Sequence, residues 1–236
     1  MTPARIGEIL SSRDYPGRGI LLGASPDGTK SVCAYFITGR SENSRNRILA
    51  RTEDGIRTQA FDPSKTIDPS LTIYSPAREI NGFFIVSNGD QTDTVRDYLS
   101  GGKSFEEALE TREYEPDGPH FTPRISGLIL PGGAYKLSIL KKSPQTKACF
   151  RLHFDYSPIP GFGHFICTYQ RGGDPLPPFE GDPIRVRIPE GAGELASEIR
   201  NSLDDKIFVS LFVRYAGARA QTRIINRNGG EERRDA

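Results

Sequence analysis

The chain has 236 residues, 36% of them hydrophobic and 26% charged, which is enough apolar material for a sizeable core without disulfides or a structural metal. Thirty-one basic residues against thirty acidic ones give a formal net charge of +1, which excludes a broad nucleic-acid-binding face and leaves room for a local basic pocket. Residues 1–13 carry no signal-peptide core, and no apolar run is long enough to span a bilayer, so a cytoplasmic setting with no membrane partner is expected.

In chain order, residues 4–12 read as a short amphipathic helix with Ile6, Ile9 and Leu10 on one face, broken at Tyr15-Pro16-Gly17. Residues 19–23 and 30–38 read as a hairpin turned by Ser25-Pro26-Asp27-Gly28. Its second strand is apolar on both faces, so it should be covered on both sides. Residues 39–51 start as a polar, arginine-rich loop and end as a strand. Residues 71–74 and 83–87 are further strands, the second stopped by Asn88-Gly89-Asp90. A helix follows over 92–100, and Ser104 with Glu107 forms a capping box for another. Strands over 124–130, 135–140, 148–154 and 165–169 make a meander, with Gly132-Gly133 as its first hairpin turn. Residues 172–182 are a Pro/Gly-rich loop. Residues 193–203 align Leu195, Ile199 and Leu203 along a helix, and strands close the chain at 207–215 and 221–226. The charged tail after Arg227 is expected to be disordered. Helices are grouped rather than alternating with strands, which predicts an α+β sandwich instead of a doubly wound sheet.

Several chemistries find no support. There is no phosphate loop of the Walker type, no GxGxxG after a strand, no GxSxG elbow and no HExxH. The three histidines are widely spaced, and the three cysteines (Cys33, Cys149, Cys167) form no CxxC pair and read as buried free thiols. No metal or cofactor is expected.

Three polar clusters follow predicted elements. Arg40, Arg45 and Arg47 lie among Ser and Asn directly after a buried strand, and guanidinium forks match phosphate and carboxamide oxygens. Asn88, Gly89, Thr92 and Asp93 join a strand to a helix, where a turn, a cap or an anion contact is accommodated. Tyr114, Glu115 and Asp117 precede Thr122-Pro123-Arg124, and a carboxylate there can serve as acid or base if its pKa is tuned. Taken singly, each also reads as a solvated loop, a helix cap or a turn with a surface ion pair.

Together these stretches resemble the archaeal-type IMP cyclohydrolase family. The shared features are Tyr15, Gly17 and Arg18; Arg40-Ser41 with Arg45; Tyr74-Ser75-Pro76-Ala77-Arg78; Val86-Ser87-Asn88-Gly89 with Thr92-Asp93-Thr94; and Tyr114-Glu115 with Thr122-Pro123-Arg124-Ile125. They cover a little over half of the chain, in the family's order. The resemblance implies a four-layer αββα sandwich like the N-terminal-nucleophile hydrolases, used without an N-terminal nucleophile. It divides the chain into an extension over 1–14, a single domain over 15–227 and a tail over 228–236. It implies metal-free dehydrative closure of 5-formamidoimidazole-4-carboxamide ribotide to IMP, so the partner is a small purine ribonucleotide and not a nucleic acid. Arg40, Tyr74, Asn88 and Glu115 would then be catalytic. Arg45, Arg47, Arg78, Thr92, Asp93, Tyr114, Thr122 and Arg124 would bind substrate. Departures are the extension, the 172–182 loop, Phe121 before Thr-Pro-Arg, and Arg47 as a second candidate beside Arg45. They keep two other readings open: another amide cyclisation or hydrolysis, or a nucleotide-binding protein without turnover. The sequence leaves homo-oligomerisation undecided.

Overall fold

The computed structural model describes residues 3–65 and 73–235. The elements begin with β1 (Ala4–Arg5), α1 (Ile6–Ser11), β2 (Arg18–Ala24), β3 (Ser31–Thr38), α2 (Glu42–Arg45), β4 (Arg47–Arg51) and β5 (Gly55–Ala60). The middle holds β6 (Ala77–Ile80), β7 (Phe83–Ser87), α3 (Gln91–Ser100), α4 (Phe105–Glu110), β8 (Arg124–Ile129), β9 (Tyr135–Lys142) and β10 (Cys149–Tyr156). The last part holds β11 (Phe162–Cys167), β12 (Ile184–Arg187), α5 (Ala192–Ser202), β13 (Phe208–Ala216), β14 (Gln221–Asn226) and β15 (Gly230–Asp235).

Two sheets form, and each follows from the hydrophobic pattern. An eight-stranded sheet runs β1-β12-β11-β2-β3-β13-β14-β15, and a seven-stranded sheet runs β10-β9-β8-β7-β6-β5-β4. Successive side chains of a strand point to opposite faces. On β7, Phe84 and Val86 enter the main core while Ile85 enters a second one. The main core holds the facing sides of both sheets together with Ile6 and Leu10 of α1 and Leu195 and Ile199 of α5. The second core packs Ile85, Leu128 and Leu140 beneath Val95 of α3 and Phe105 and Leu109 of α4. Helices therefore cover the outer face of each sheet, and the strands that are apolar on both faces lie in the middle. The α+β sandwich expected from the element order is what forms. No helix among the described residues is long and apolar enough to cross a membrane.

Several expectations are corrected. Within 71–74, Leu71 and Thr72 lie outside the described residues. Ile73 and Tyr74 are irregular, and Tyr74 instead donates its N–H to Thr58 Oγ1 at 2.8 Å and accepts from Thr58 N at 2.9 Å. The tail read as disordered pairs as β15 with β14, from Asn226↔Gly230 to Gln221↔Asp235. Arg223 of β14 secures it through Asp235 at 2.6 Å. Cys33 and Cys167 are buried, but Cys149 is only half-buried.

Candidate active site

A cavity of about 470 Å³ opens at one end of the sandwich, where loops of both sheets meet. Its walls come from four places. The start of β2 supplies Tyr15 and Arg18. The α2 region supplies Arg40, Ser41, Asn43 and Ser44, followed by Arg47 at the start of β4. The loop between α4 and β8 supplies Glu115, Asp117, His120 and Thr122. The segment after β11 supplies Tyr169 and Leu176.

Local geometry fixes these groups. Gly17 has φ +73°, and a Cβ there would sit 2.0 Å from Thr168 Oγ1. Only glycine permits that approach. The Gly17 carbonyl accepts from Thr38 N at 2.8 Å and Thr38 Oγ1 at 2.7 Å, and Arg18 N donates to Thr168 Oγ1 at 3.0 Å. The Arg18 backbone is thus clamped between the neighbouring strands. Ser41 caps α2 through Ser44, and Arg47 Nε donates to the Ser44 carbonyl at 2.9 Å. Thr122 N donates to Asp117 Oδ1 at 2.7 Å, and its hydroxyl lies 2.6 Å from the Tyr169 hydroxyl. Tyr169 stacks on Tyr15 with ring centroids 5.8 Å apart, and the Arg40 guanidinium lies 4.9 Å over the Tyr15 ring.

The electrostatics are unusual. Arg47 is 2% exposed, and its Nη1 is buried without a hydrogen bond among the described residues. Burial holds its pKa down, and the like charge of Arg18 adds to this. The Arg18 side chain makes no hydrogen bond or ion pair among the described residues, and its Nε is buried. Burial works against its charge, yet Tyr74, Glu115, Tyr35 and Tyr169 tip the balance and raise its pKa. Glu115 is 6% exposed. Burial raises its carboxyl above the ordinary range, Arg18 and Arg124 oppose the rise, and Asp117 and Asp90 reinforce it. Tyr169 is pushed up to about 12, chiefly by burial. Two adjacent guanidiniums with no carboxylate bound to either make a site ready for an anion or for oxygens that gain charge.

Of the residues anticipated from sequence, Arg40, Arg47, Glu115 and Thr122 line the cavity. Tyr74 stands behind it, buried, with its hydroxyl 2.8 Å from that of Tyr35. Its electrostatic influence reaches both Arg18 and Arg47. Arg124 approaches from the α3 side. A Cβ on Gly89 would lie 2.7 Å from Arg124 Nη1 and 3.6 Å from Glu115 Oε1, so the absent side chain lets these groups converge. Arg124 itself pairs with Asp90 at 2.7 Å.

Other candidates fall elsewhere. Asn88 spends its polar atoms on structure, donating to the Pro123 carbonyl at 2.8 Å and accepting from Ile125 N and Gln91 Nε2 at 2.9 Å. Thr92 bonds Ser87 and the Gly89 carbonyl. Arg78 holds Asp93 at 2.6 Å and also Asp54, away from the cavity. Tyr114 donates to the Lys147 carbonyl at 2.8 Å. Arg45 folds back onto the Arg40 carbonyl and braces the loop, so that of Arg45 and Arg47 it is Arg47 that faces the cavity. Phe121, at φ +45°, packs edge-on against Tyr114 at 5.7 Å and does not line the cavity.

Sequence reading assigned no role to Arg18, although it lies in the Tyr-x-Gly-Arg opening at the first residue of a strand. Asp117 stood in a polar cluster without a role. His120, Tyr169 and Leu176 carried no signal, because only the fold brings them to the cavity. Among the described residues, no group of three or more His, Cys, Asp or Glu side chains is placed to hold a metal ion.

The family model described as IMP cyclohydrolase-like protein matches residues 15–220. The chain is 29% identical over 185 residues to the IMP cyclohydrolase of Methanopyrus kandleri, covering 65% of this chain and 92% of that protein. It is 31% identical over 119 residues to the IMP cyclohydrolase of Methanothrix thermoacetophila, covering 49% of this chain and 57% of that protein.

Proposed function

The chain belongs to the IMP cyclohydrolase-like protein family, and from that premise we propose that it is an IMP cyclohydrolase, closing the second purine ring of 5-formamidoimidazole-4-carboxamide ribotide by loss of water. The observation that carries this reading is the buried Arg47 next to the half-buried Arg18, neither bound to a carboxylate among the described residues, beside the raised-pKa carboxyl of Glu115. Residues 15–227 act as one catalytic unit, in a sandwich read as the N-terminal-nucleophile hydrolase arrangement without its nucleophile. The partner is a small ribonucleotide, and the setting is cytoplasmic.

The substrate has two demands, a phosphate dianion at one end and an amide pair at the other. Arg47 and Arg40 take the phosphate, with the polar groups of Asn43 and Ser44 alongside. Arg18 and Glu115 face the reacting amides. The reaction is intramolecular, so holding the formamide against the carboxamide supplies much of the acceleration. The carboxamide nitrogen attacks the formyl carbon, a C–N bond forms, and the formyl oxygen gains negative charge. Arg18 donates to that oxygen. Glu115 and the Tyr74 hydroxyl move protons from nitrogen to oxygen. Water then carries off the formyl oxygen with two hydrogens that began on nitrogen, leaving the C=N bond of the new ring.

Turnover measured by the absorbance change on IMP formation tests these roles. Tyr74→Phe and Glu115→Gln should each lower kcat by roughly 10²–10⁴-fold. Near-normal turnover in both would remove the acid–base assignment. Arg47→Ala should act mainly on KM, since phosphate contacts bind ground and transition states alike.

A further inference from the structure

Four strands form the edges of the two sheets, and three of them are closed to further pairing. β4 is capped by Asn226, which accepts from Leu49 N at 2.8 Å and donates to the Leu49 carbonyl at 3.0 Å. β1 has two residues. β15 reads Gly-Glu-Glu-Arg-Arg-Asp and is exposed throughout, an edge guarded by charge. β10 differs. It has eight residues, and among the described residues it pairs only with β9. Leu152, Phe154 and Tyr156 on its inner face are only partly buried, and Phe150 is 43% exposed.

Its sequence, Cys-Phe-Arg-Leu-His-Phe-Asp-Tyr, is complementary to itself about His153. Antiparallel pairing of two copies centred there sets Arg151 opposite Asp155, Leu152 opposite Phe154 and Phe150 opposite Tyr156. The hydrogen-bonding direction agrees. Ser143 N donates to the Ala148 carbonyl at 2.8 Å, so even-numbered residues direct their backbone groups toward β9. The N–H and C=O groups of Arg151, His153 and Asp155 then point outward. Both charges stand at this edge within their own networks. Asp155 is 69% exposed with Lys136 Nζ at 3.1 Å, and Arg151 is held by Nη2 on the Glu110 and Arg112 carbonyls at 3.2 and 2.9 Å.

We propose that β10 is a homodimer interface, at which two copies of this chain join their seven-stranded sheets across a two-fold axis at His153. Opposite charges directly across a strand pair stabilise it, and like charges oppose it. Each dimer holds two Arg151–Asp155 contacts, so a single reversal acts twice.

Sedimentation velocity on the full chain reads the outcome. Wild-type protein should sediment at twice the 26.1 kDa chain mass. Arg151→Glu and Asp155→Lys should each weaken association by about tenfold or more. The double exchange should restore the dimer. His153→Pro removes an outward N–H while sparing the ladder to β9, and should also give monomer. Circular dichroism confirms that each variant folds. A wild-type monomer, a dimer indifferent to the single reversals, or a double exchange that stays monomeric would overturn the proposal.

Discussion

Arg47 is a cation enclosed by protein, with a donor that meets no acceptor among the described residues and a second guanidinium close by. Such a group costs stability in the empty protein, and a bound anion would relieve that cost. Arg47→Met should therefore raise the unfolding free energy of the ligand-free protein by about 1–4 kcal/mol. The same change should abolish stabilisation by IMP. Urea titrations with and without IMP check both. Glu115 makes a parallel case. Its folded pKa lies above the ordinary 4.5, so the native state binds its proton more tightly than the unfolded chain does. Its contribution to stability then falls as pH rises from the ordinary value through the raised one, and levels off above it. Glu115→Gln should remove that decline, matching wild type at low pH and exceeding it at neutral pH. Unfolding measured across a pH series decides this, and an unchanged pH dependence would count against the burial of that carboxyl.

At the scale of elements, Ser104 shows how a local signal becomes structure. Its hydroxyl accepts from Glu107 N at 3.1 Å, and the Glu107 carboxylate accepts from Ser104 N at 2.7 Å. Ser104→Ala should cost about 1 kcal/mol, read as a lower melting temperature with turnover retained. That cap was legible in the sequence because capping is local. The long apolar strands β2, β3, β8, β9 and β13 were legible for a similar reason, since their side chains are apolar on both faces. β5, β6 and β12 were not. They are short and mostly polar, and they owe their strand form to neighbours far away in sequence. β15 did leave a trace that was passed over, the Asn228-Gly229 turn that brings the chain back onto β14. Removing residues 228–236 should lower the melting temperature, because the buried Arg223 loses Asp235 and β14 loses its outer partner strand. In the site, Arg40, Glu115 and Thr122 were legible because family motifs marked them, and Arg47 because it lies in the arginine cluster that follows a buried strand. Asn88 was marked as strongly but serves the turn, and a motif alone does not say whether a polar group faces a cavity or a carbonyl.

Across the whole molecule, the two sheets meet at a cavity whose cations form no ion pair among the described residues, and the chain's charge balance of +1 conceals this local excess. A ligand that binds only the folded state adds its binding energy to stability, about 2.7 kcal/mol at a concentration of 100 Kd. IMP should raise the melting temperature accordingly. The most direct test of the central claim is turnover of the formylated ribotide to IMP by wild-type protein and by Arg18→Ala, followed by absorbance. The cavity described here predicts saturable formation of IMP by the wild type and a loss of about 10²–10³-fold in the variant. No IMP from the wild type, or equal rates from the two proteins, would contradict it.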